Sequence, residues 1–155
     1  MARWKDFAAA EPDFSRRVLT LFETQKHMTL ATLRRDGSPR ISGTEAHLVD
    51  GELVLGMMSG SLKARDLLRD PRLALHSPAL DPPEGDPSGW SGDAKIAGVG
   101  VESLDKNPDD DPDDESHRFF IDINEVVLTK VGTPADHLVI ESWRPGSGLR
   151  RRQRK

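Results

Sequence analysis

Apolar and polar residues alternate at positions 29–33, with the two-residue period of a β-strand that buries one face. A run rich in turn formers follows at 34–39, and positions 40–49 continue as a second strand. Asp50-Gly51 is a strong hairpin signal, and it precedes a third strand at 52–58. These segments predict three consecutive antiparallel strands.

Two helices are predicted around this strand series. After the third strand, the turn Gly60-Ser61-Leu62-Lys63-Ala64 opens a short helix over 62–69, and Asp70-Pro71 ends its pattern. Before the first strand, apolar residues recur at helical spacing over 13–25, with Asp13 as the N-cap and 7–11 as a weak lead-in.

The rest of the chain predicts further strands and loops. The strands lie at 72–76, 94–103, 119–131 (one long strand or two broken ones) and 137–143. A loop rich in proline and glycine spans 78–93, and the acidic segment 105–115 is predicted to be an exposed excursion. We therefore expect a mostly β, antiparallel barrel in one domain over 1–148, followed by a basic, disordered tail at 149–155.

Composition narrows the classes of function. The 155 residues carry a net charge of −4, which argues against bulk attraction to nucleic acid. The chain has no cysteine, so disulfides, thiolate metal sites and cysteine nucleophiles are excluded. No run approaches the roughly 18 apolar residues that span a membrane, and the N-terminus has no apolar signal core. We expect a cytoplasmic protein without a nucleic-acid or membrane partner.

Residues with catalytic or ligand-binding potential are few. The five histidines include no pair three or four residues apart, so no metal site is expected, and no Gly-x-Ser-x-Gly hydrolase motif is present. The strongest candidate is the turn with Ser61 and Lys63, because backbone N–H groups at a helix start, a hydroxyl and an ammonium can together bind a phosphate. The same residues also suit an ordinary helix start, with Ser61 as N-cap and Lys63 in solvent. The spacing leaves both interpretations open.

Four motifs, taken in order, resemble the pyridoxamine 5′-phosphate oxidase-like, FMN-binding split-barrel family. They are the hairpin turn Asp36-Gly37-Ser38-Pro39, the turn Ser61-Leu62-Lys63, the helix Ala64-Arg65-Asp66-Leu67-Leu68-Arg69-Asp70-Pro71-Arg72, and the late segment Trp143-Arg144-Pro145-Gly146. The resemblance covers the chain from about Phe14 to Gly148. It is carried by the order and spacing of the motifs, and it is to the small bacterial flavin or deazaflavin branch of the family.

The resemblance implies a homodimer of six-stranded split barrels, with two cofactor sites at the interface between the chains. In such proteins one strand runs beside the flavin ring, another lines the ribityl chain, and the Ser-x-Lys turn holds the phosphate. Carried over to this chain, the cofactor-binding residues are Arg40, Ser42, Gly43, Thr44, Met57, Met58, Ser59, Ser61 and Lys63, with Trp143 contributed near the ring by the partner chain. An ordinary buried position is an equal alternative for Trp143.

The function that the resemblance implies is a flavin-dependent oxidoreductase, which uses FMN to transfer a hydride to or from a small organic substrate without a catalytic side chain. Departures at Gly56, Met57 and Leu62, and a C-terminus without an Arg-x-His segment, argue against a vitamin B6 oxidase. A reductase that uses the deazaflavin coenzyme F-420, a non-catalytic flavin-binding or sensor protein, and an empty dimeric scaffold are the alternatives. Trp90 is expected either to line the substrate side of the groove or to anchor its loop.

Overall fold

The computed structural model describes residues 1–105, 111 and 113–155. The helices are α1 (Trp4–Ala10), α2 (Pro12–Phe22) and α3 (Leu62–Arg69). The strands are β1 (Met28–Leu33), β2 (Pro39–Thr44), β3 (Ala46–Val49), β4 (Glu52–Met57), β5 (Arg72–His76), β6 (Asp93–Glu102), β7 (His117–Val131), β8 (Leu138–Arg144) and β9 (Gly148–Arg154). Most of the predicted acidic excursion at 105–115 lies outside the described residues. In the part that is described, no helix is long and apolar enough to cross a membrane.

All nine strands belong to one antiparallel sheet that rolls up without closing. Its hydrogen-bonded order is β2-β1-β5-β6-β7-β4-β3, and the pair β8-β9 extends it beside the second half of β7. β2 and β3 stand at opposite ends of this order, yet only Glu45 separates them along the chain. This link brings the two ends of the sheet together. Among the described residues no strand pairing joins β2 to β4, and we call the gap between them the open seam.

The antiparallel, mostly β architecture is confirmed, but the prediction of six strands was wrong. One reason is that positions 40–49 form two strands rather than one. Pro39–Thr44 pairs with β1, whereas Ala46–Val49 pairs with β4, so the chain changes partner at Glu45. The hairpin between β3 and β4 is formed as expected, with positive φ at both Asp50 (51°) and Gly51 (77°), which is the conformation that a two-residue hairpin turn requires.

β7 is a single strand of 15 residues with an irregularity at its centre. Ala97 of β6 faces Glu125, whereas the next residue, Gly98, faces Ile123, so Asn124 is an extra residue in the manner of a β-bulge. The two backbones approach closely there, because a Cβ at position 98 would lie 2.1 Å from the carbonyl oxygen of Asp122. The structure thus shows one long strand for 119–131. Glycine at position 98 permits the close approach of the β6 and β7 backbones.

The N-terminal segment is more helical than expected. The weak lead-in belongs to α1, whose Trp4 and Phe7 are buried, and α2 begins at Pro12 and ends at Phe22 rather than spanning 13–25. The N-cap is Glu11 instead of Asp13, because proline is favourable in the first helical turn, where its missing N–H removes no hydrogen bond.

A partly buried ion pair fastens α2 to the sheet. Both terminal nitrogens of Arg17 donate to the carboxylate of Glu141 on β8, at 2.8 and 2.6 Å, and Glu141 is only 7% exposed. The hydrogen bond from Arg17 lowers the pKa of the Glu141 carboxyl, which remains ionised inside the fold.

The predicted disordered tail is instead a strand, and this part of the domain prediction was wrong. β9 pairs with β8 over its whole length, from Arg144 opposite Gly148 to Leu138 opposite Arg154. Backbone hydrogen bonds of a ladder need no apolar side chains, so a basic composition does not exclude a strand at the edge of a sheet.

Candidate functional site

A groove of about 710 Å³ lies along the open seam. This volume is in the ordinary range for small-molecule sites. The groove is lined by residues from β2, the Glu45 link, β3, β4, the turn after β4 and the start of α3, with one residue from before β1 and one from after it. They are His27, Arg34, Arg40, Ile41, Ser42, Gly43, Thr44, Glu45, His47, Gly56, Met57, Met58, Ser61, Leu62 and Lys63.

Two glycines line the groove, one on each of the strands that border the seam. Gly43 of β2 and Gly56 of β4 both have φ values outside the left-handed region, and a Cβ added to either would meet nothing within 4 Å. Neither a turn nor internal packing therefore requires glycine at these positions, although glycine weakens a strand. What glycine does provide is open space directly above the backbone on two sides of one groove, which suits a flat ligand lying close to the main chain.

At one end of the groove, the start of α3 has the chemistry of an anion site. Ser61 is the N-cap, and its hydroxyl oxygen accepts a hydrogen bond from the backbone N–H of Ala64 at 3.3 Å. The N–H groups of Leu62 and Lys63 have no acceptor among the described residues. Lys63 does not point to open solvent, because its Nζ donates to the carbonyl oxygen of Gly43 across the seam at 2.8 Å. Its ammonium has further donors for a ligand, as does the Ser61 hydroxyl.

Arg40 is held in the groove wall by a buried carboxylate. Its Nε donates to Oδ2 of Asp66 at 2.7 Å, and the same oxygen accepts from the hydroxyl of Thr32 at 2.8 Å. The other oxygen accepts from Arg69 at 3.0 Å. Burial alone raises the pKa of Asp66, but the three hydrogen bonds outweigh it, and the net direction is downward. The ionised Asp66 thus fixes both the guanidinium of Arg40 and the orientation of α3 against β1.

A cluster of titratable side chains surrounds Glu45 at the link between β2 and β3. Its carboxylate lies 3.3 Å from His27, 3.5 Å from His47 and 3.5 Å from Lys26. Burial raises the pKa of Glu45 and the neighbouring Lys26 lowers it, with a net downward shift. In the described part of the chain, no group of three or more histidine and carboxylate side chains is arranged to hold a metal ion.

The groove brings together most of the residues predicted to bind the cofactor. Arg40, Ser42, Gly43, Met58, Ser61 and Lys63 all line it. Thr44 and Met57 line it as well, but each is only 3% exposed, so they contribute to its floor. Ser59 is exposed in the turn before α3 and is not one of the lining residues.

The two predicted tryptophans lie elsewhere in the single chain. Trp143 is buried and packs on Phe7, with ring centroids 4.8 Å apart, which agrees with the alternative of an ordinary core position. Trp90 follows the short 3₁₀ turn Pro87–Gly89 and donates from Nε1 to the carbonyl of Leu80 within its own loop, at 2.7 Å. This contact favours the loop anchor, and a place for Trp90 on the substrate side stays a prediction.

Sequence reasoning missed several lining residues, above all the exposed apolar ones. Ile41 is 74% exposed and Leu62 is 55% exposed, beside the predicted Met58 at 80%. A usable signal was present, because Ile41 occupies an outward position of an alternating strand, between Arg40 and Ser42. The sequence around the other missed residues does not mark them as lining residues, because they come together only when the sheet rolls up. They are His27, Arg34, Glu45 and His47.

Similarity to known proteins is found among solved structures. No family model and no curated protein matches the chain. A pyridoxamine 5′-phosphate oxidase-related, FMN binding protein from Nostoc punctiforme aligns with a TM-score of 0.63 over 100% of this chain and 98% of its own, at 12% identity. This chain has the fold of that protein. PhzG from Burkholderia lata, solved with tetrahydrophenazine-1-carboxylic acid, aligns at 0.62 over 97% and 92%, at 11% identity.

An F-420 reductase aligns with a TM-score of 0.50 over 69% of this chain and 93% of its own, at 18% identity. At such identities the agreement is one of fold. The resemblance inferred from the sequence motifs is confirmed at that level.

Proposed function

We propose that this protein binds a phosphorylated flavin in the open seam and uses it as a two-electron oxidoreductase on a small organic substrate. FMN is the first candidate, and the deazaflavin coenzyme F-420 is the second. The observation that carries the proposal is the pair Gly43 and Gly56, which leaves open space above two facing strands beside an anion site at the start of α3. Similarity of fold to an FMN binding protein and to an F-420 reductase supports it.

The phosphate of the cofactor would lie at the turn before α3. Lys63 supplies a charge-assisted contact, and Ser61 supplies a hydroxyl donor. The N–H groups of Leu62 and Lys63 need acceptors, and the positive end of the helix dipole favours an anion at this point. Arg34 and Arg40 add cationic charge farther along the groove, which suits the longer anionic tail of the deazaflavin coenzyme and is the reason to keep it as the second candidate.

The bound cofactor supplies the ring at which a hydride is gained or lost, so the chain needs no nucleophile of its own. Its residues have other tasks. The backbones of β2 and β4 would lie against the ring faces and edge, Asp66 holds Arg40 in place, and Lys63 ties α3 to β2 across the seam.

A homodimer would complete the site. Ile41, Met58 and Leu62 are large apolar residues that remain more than half exposed at the groove. Their exposure in one chain is costly unless a second surface covers them. A partner copy over this face would exclude water from the ring and bury these side chains. Light scattering on the purified protein should then give a dimer at micromolar concentration, and a monomer would contradict this part of the proposal.

The decisive experiment is a titration of the full chain with FMN and, separately, with coenzyme F-420, followed by absorbance and fluorescence. Lys63→Ala removes one charge-assisted contact of about 1.5–3 kcal/mol, so we expect affinity to fall roughly tenfold to a hundredfold. Lys5→Ala is the matched control, because this exposed lysine lies outside the groove. Equal affinities for both variants and both cofactors would place the phosphate elsewhere.

A second variant tests the flat-ligand argument. Gly56→Val adds a branched side chain into open space, so the chain should fold at least as well as the wild type while cofactor affinity falls by roughly tenfold or more. Gly56→Ala should have an intermediate effect. Unchanged affinity in Gly56→Val would show that no ligand lies over β4.

Turnover separates an enzyme from a protein that only holds the cofactor. The bound cofactor is reduced chemically, a small organic acceptor is added, and the rate of reoxidation is compared with that of free cofactor. Acceleration by the protein supports the oxidoreductase. Retention of reduced cofactor without acceleration supports the binding or sensor alternative, and absence of binding supports the empty scaffold.

A further inference from the structure

Strand β9 presents an unpaired edge at the side of the molecule formed by the β8–β9 hairpin. It pairs with β8 along one side, and no described residue pairs with its other side. All of its residues except Gly148 are exposed. In an antiparallel strand, alternate residues direct their backbone N–H and C=O groups outward, so this edge offers a row of free donors and acceptors.

The same strand carries a concentrated positive charge. Arg150, Arg151, Arg152, Arg154 and Lys155 fall within six consecutive positions of a chain whose net charge is −4. None of these five cations forms an ion pair with a described residue. Arg151 lies opposite Glu141 in the β8–β9 ladder and helps to lower the pKa of its carboxyl, but the direct ion pair of Glu141 is with Arg17, and Glu125 pairs with Arg144.

The arginines also have a regular spacing. Arg150, Arg152 and Arg154 project to one face of the strand, about 6.7 Å apart from one to the next, and Arg151 projects to the other face. A peptide that adds to the edge as a further strand has the same spacing of about 6.7 Å between alternate side chains. Acidic side chains at alternate positions of such a peptide would therefore lie opposite the arginines, where cross-strand pairs of opposite charge are favourable.

We propose that the free edge of β9 binds an acidic, extended peptide segment of a partner protein by strand addition. The backbone edge supplies the hydrogen bonds, and the planar guanidinium groups each match a carboxylate. Charged side chains also protect an edge strand against edge-to-edge aggregation. That role does not require the regular placement of three arginines on one face of β9, which a peptide with acidic side chains at alternate positions would match. Single-stranded nucleic acid is less suitable, because β9 has no exposed aromatic residue on which a base could stack.

The test uses the full chain and a short synthetic peptide of alternating Glu and Thr, labelled for fluorescence anisotropy. Binding is expected, and it should weaken as salt rises. The double variant Arg150→Glu/Arg152→Glu should lose about tenfold in affinity or more, whereas Arg16→Glu, an exposed arginine on α2, should bind like the wild type. Melting temperatures of both variants are measured to verify folding, and cofactor affinity should not change in either.

Backbone methylation of the peptide distinguishes strand addition from simple charge attraction. N-methyl groups on the alternate amides that face β9 should abolish binding, and the same number shifted by one residue should leave it intact. Equal binding of both methylated peptides would overturn the proposal. So would tighter binding of a single-stranded RNA of equal charge, or unchanged peptide affinity in the double variant.

Discussion

The buried carboxylate of Asp66 gives the sharpest test of how the groove wall is held. Asp66→Asn keeps the size of the side chain but removes its charge, which leaves the guanidinium of Arg40 without its counter-ion and weakens the contacts to Thr32 and Arg69. Breaking a buried ion pair on one side costs about 3–5 kcal/mol. Because Arg40 retains 21% exposure and can be partly solvated, we take the lower figure.

We therefore expect a loss of about 3 kcal/mol, or about 6–12 °C in melting temperature for a chain of this size. The assay is chemical denaturation followed by tryptophan fluorescence. Asp70→Asn is the matched control, because it makes the same chemical change four residues away. Hydrogen bonds from Arg72 hold the pKa of Asp70 at about 2. That pair is largely exposed, so solvent screens it and its loss should change stability much less.

The pH dependence has a definite sign. The pKa of Asp66 is lower in the folded chain than in the unfolded one, so its contribution is fully present above the unfolded value of about 4 and is lost as pH falls through the folded value. The stability gap between wild type and Asp66→Asn should be constant near neutral pH and shrink below pH about 4. Two results would refute the stabilising role of the buried Asp66 carboxylate. One is an equal loss of unfolding free energy in Asp66→Asn and Asp70→Asn, and the other is a stability difference between wild type and Asp66→Asn that persists at acid pH.

Two further predictions concern the close crossing in the sheet and the anchored loop. Gly98→Ala forces a Cβ to within 2.1 Å of a backbone oxygen, so we expect a loss of about 1–3 kcal/mol in unfolding free energy. Gly56→Ala is the control and should cost nothing measurable, because its Cβ would meet open space. Equal stabilities of the two variants would contradict the close approach of β6 and β7 at Gly98. Trp90→Phe removes the hydrogen bond to Leu80, which should cost about 1 kcal/mol and speed proteolysis within 78–92 without changing cofactor affinity. A raised KM for a substrate, with unaltered cofactor affinity and an unaltered cleavage rate, would instead support a place for Trp90 on the substrate side.

The parts of the fold that follow from short segments could be predicted from the sequence. Asp50-Gly51 forms the hairpin because both residues tolerate positive φ, and α3 occupies the predicted 62–69 because Ser61 caps its start and Asp70-Pro71 ends it. The resemblance and the structure point to the same region, since the turn Ser61-Leu62-Lys63 of the motif also lines the groove. Each of these features depends on a few neighbouring residues.

The parts that were missed depend on partners far away in the chain. The break at Glu45 exists because β2 and β3 pair with different strands, and no local signal marks it. β9 is a strand because β8 offers an edge, although its own composition suggests a solvated tail. The significance of Gly43 and Gly56 appears only when the rolled sheet brings them to one groove.

The single-residue link at Glu45 has a consequence for the order of folding. The hairpins β1–β2 and β3–β4 are local and close over short loops, but β4 takes its place in the sheet only through β7, some sixty residues later in the chain. The groove between the hairpins cannot be complete before that long-range pairing has formed. Non-local strand pairing is slow, so we expect the pairing of β4 with β7 to limit the folding rate. A ligand that binds the completed groove acts after this step, and it should slow unfolding while leaving the refolding rate unchanged.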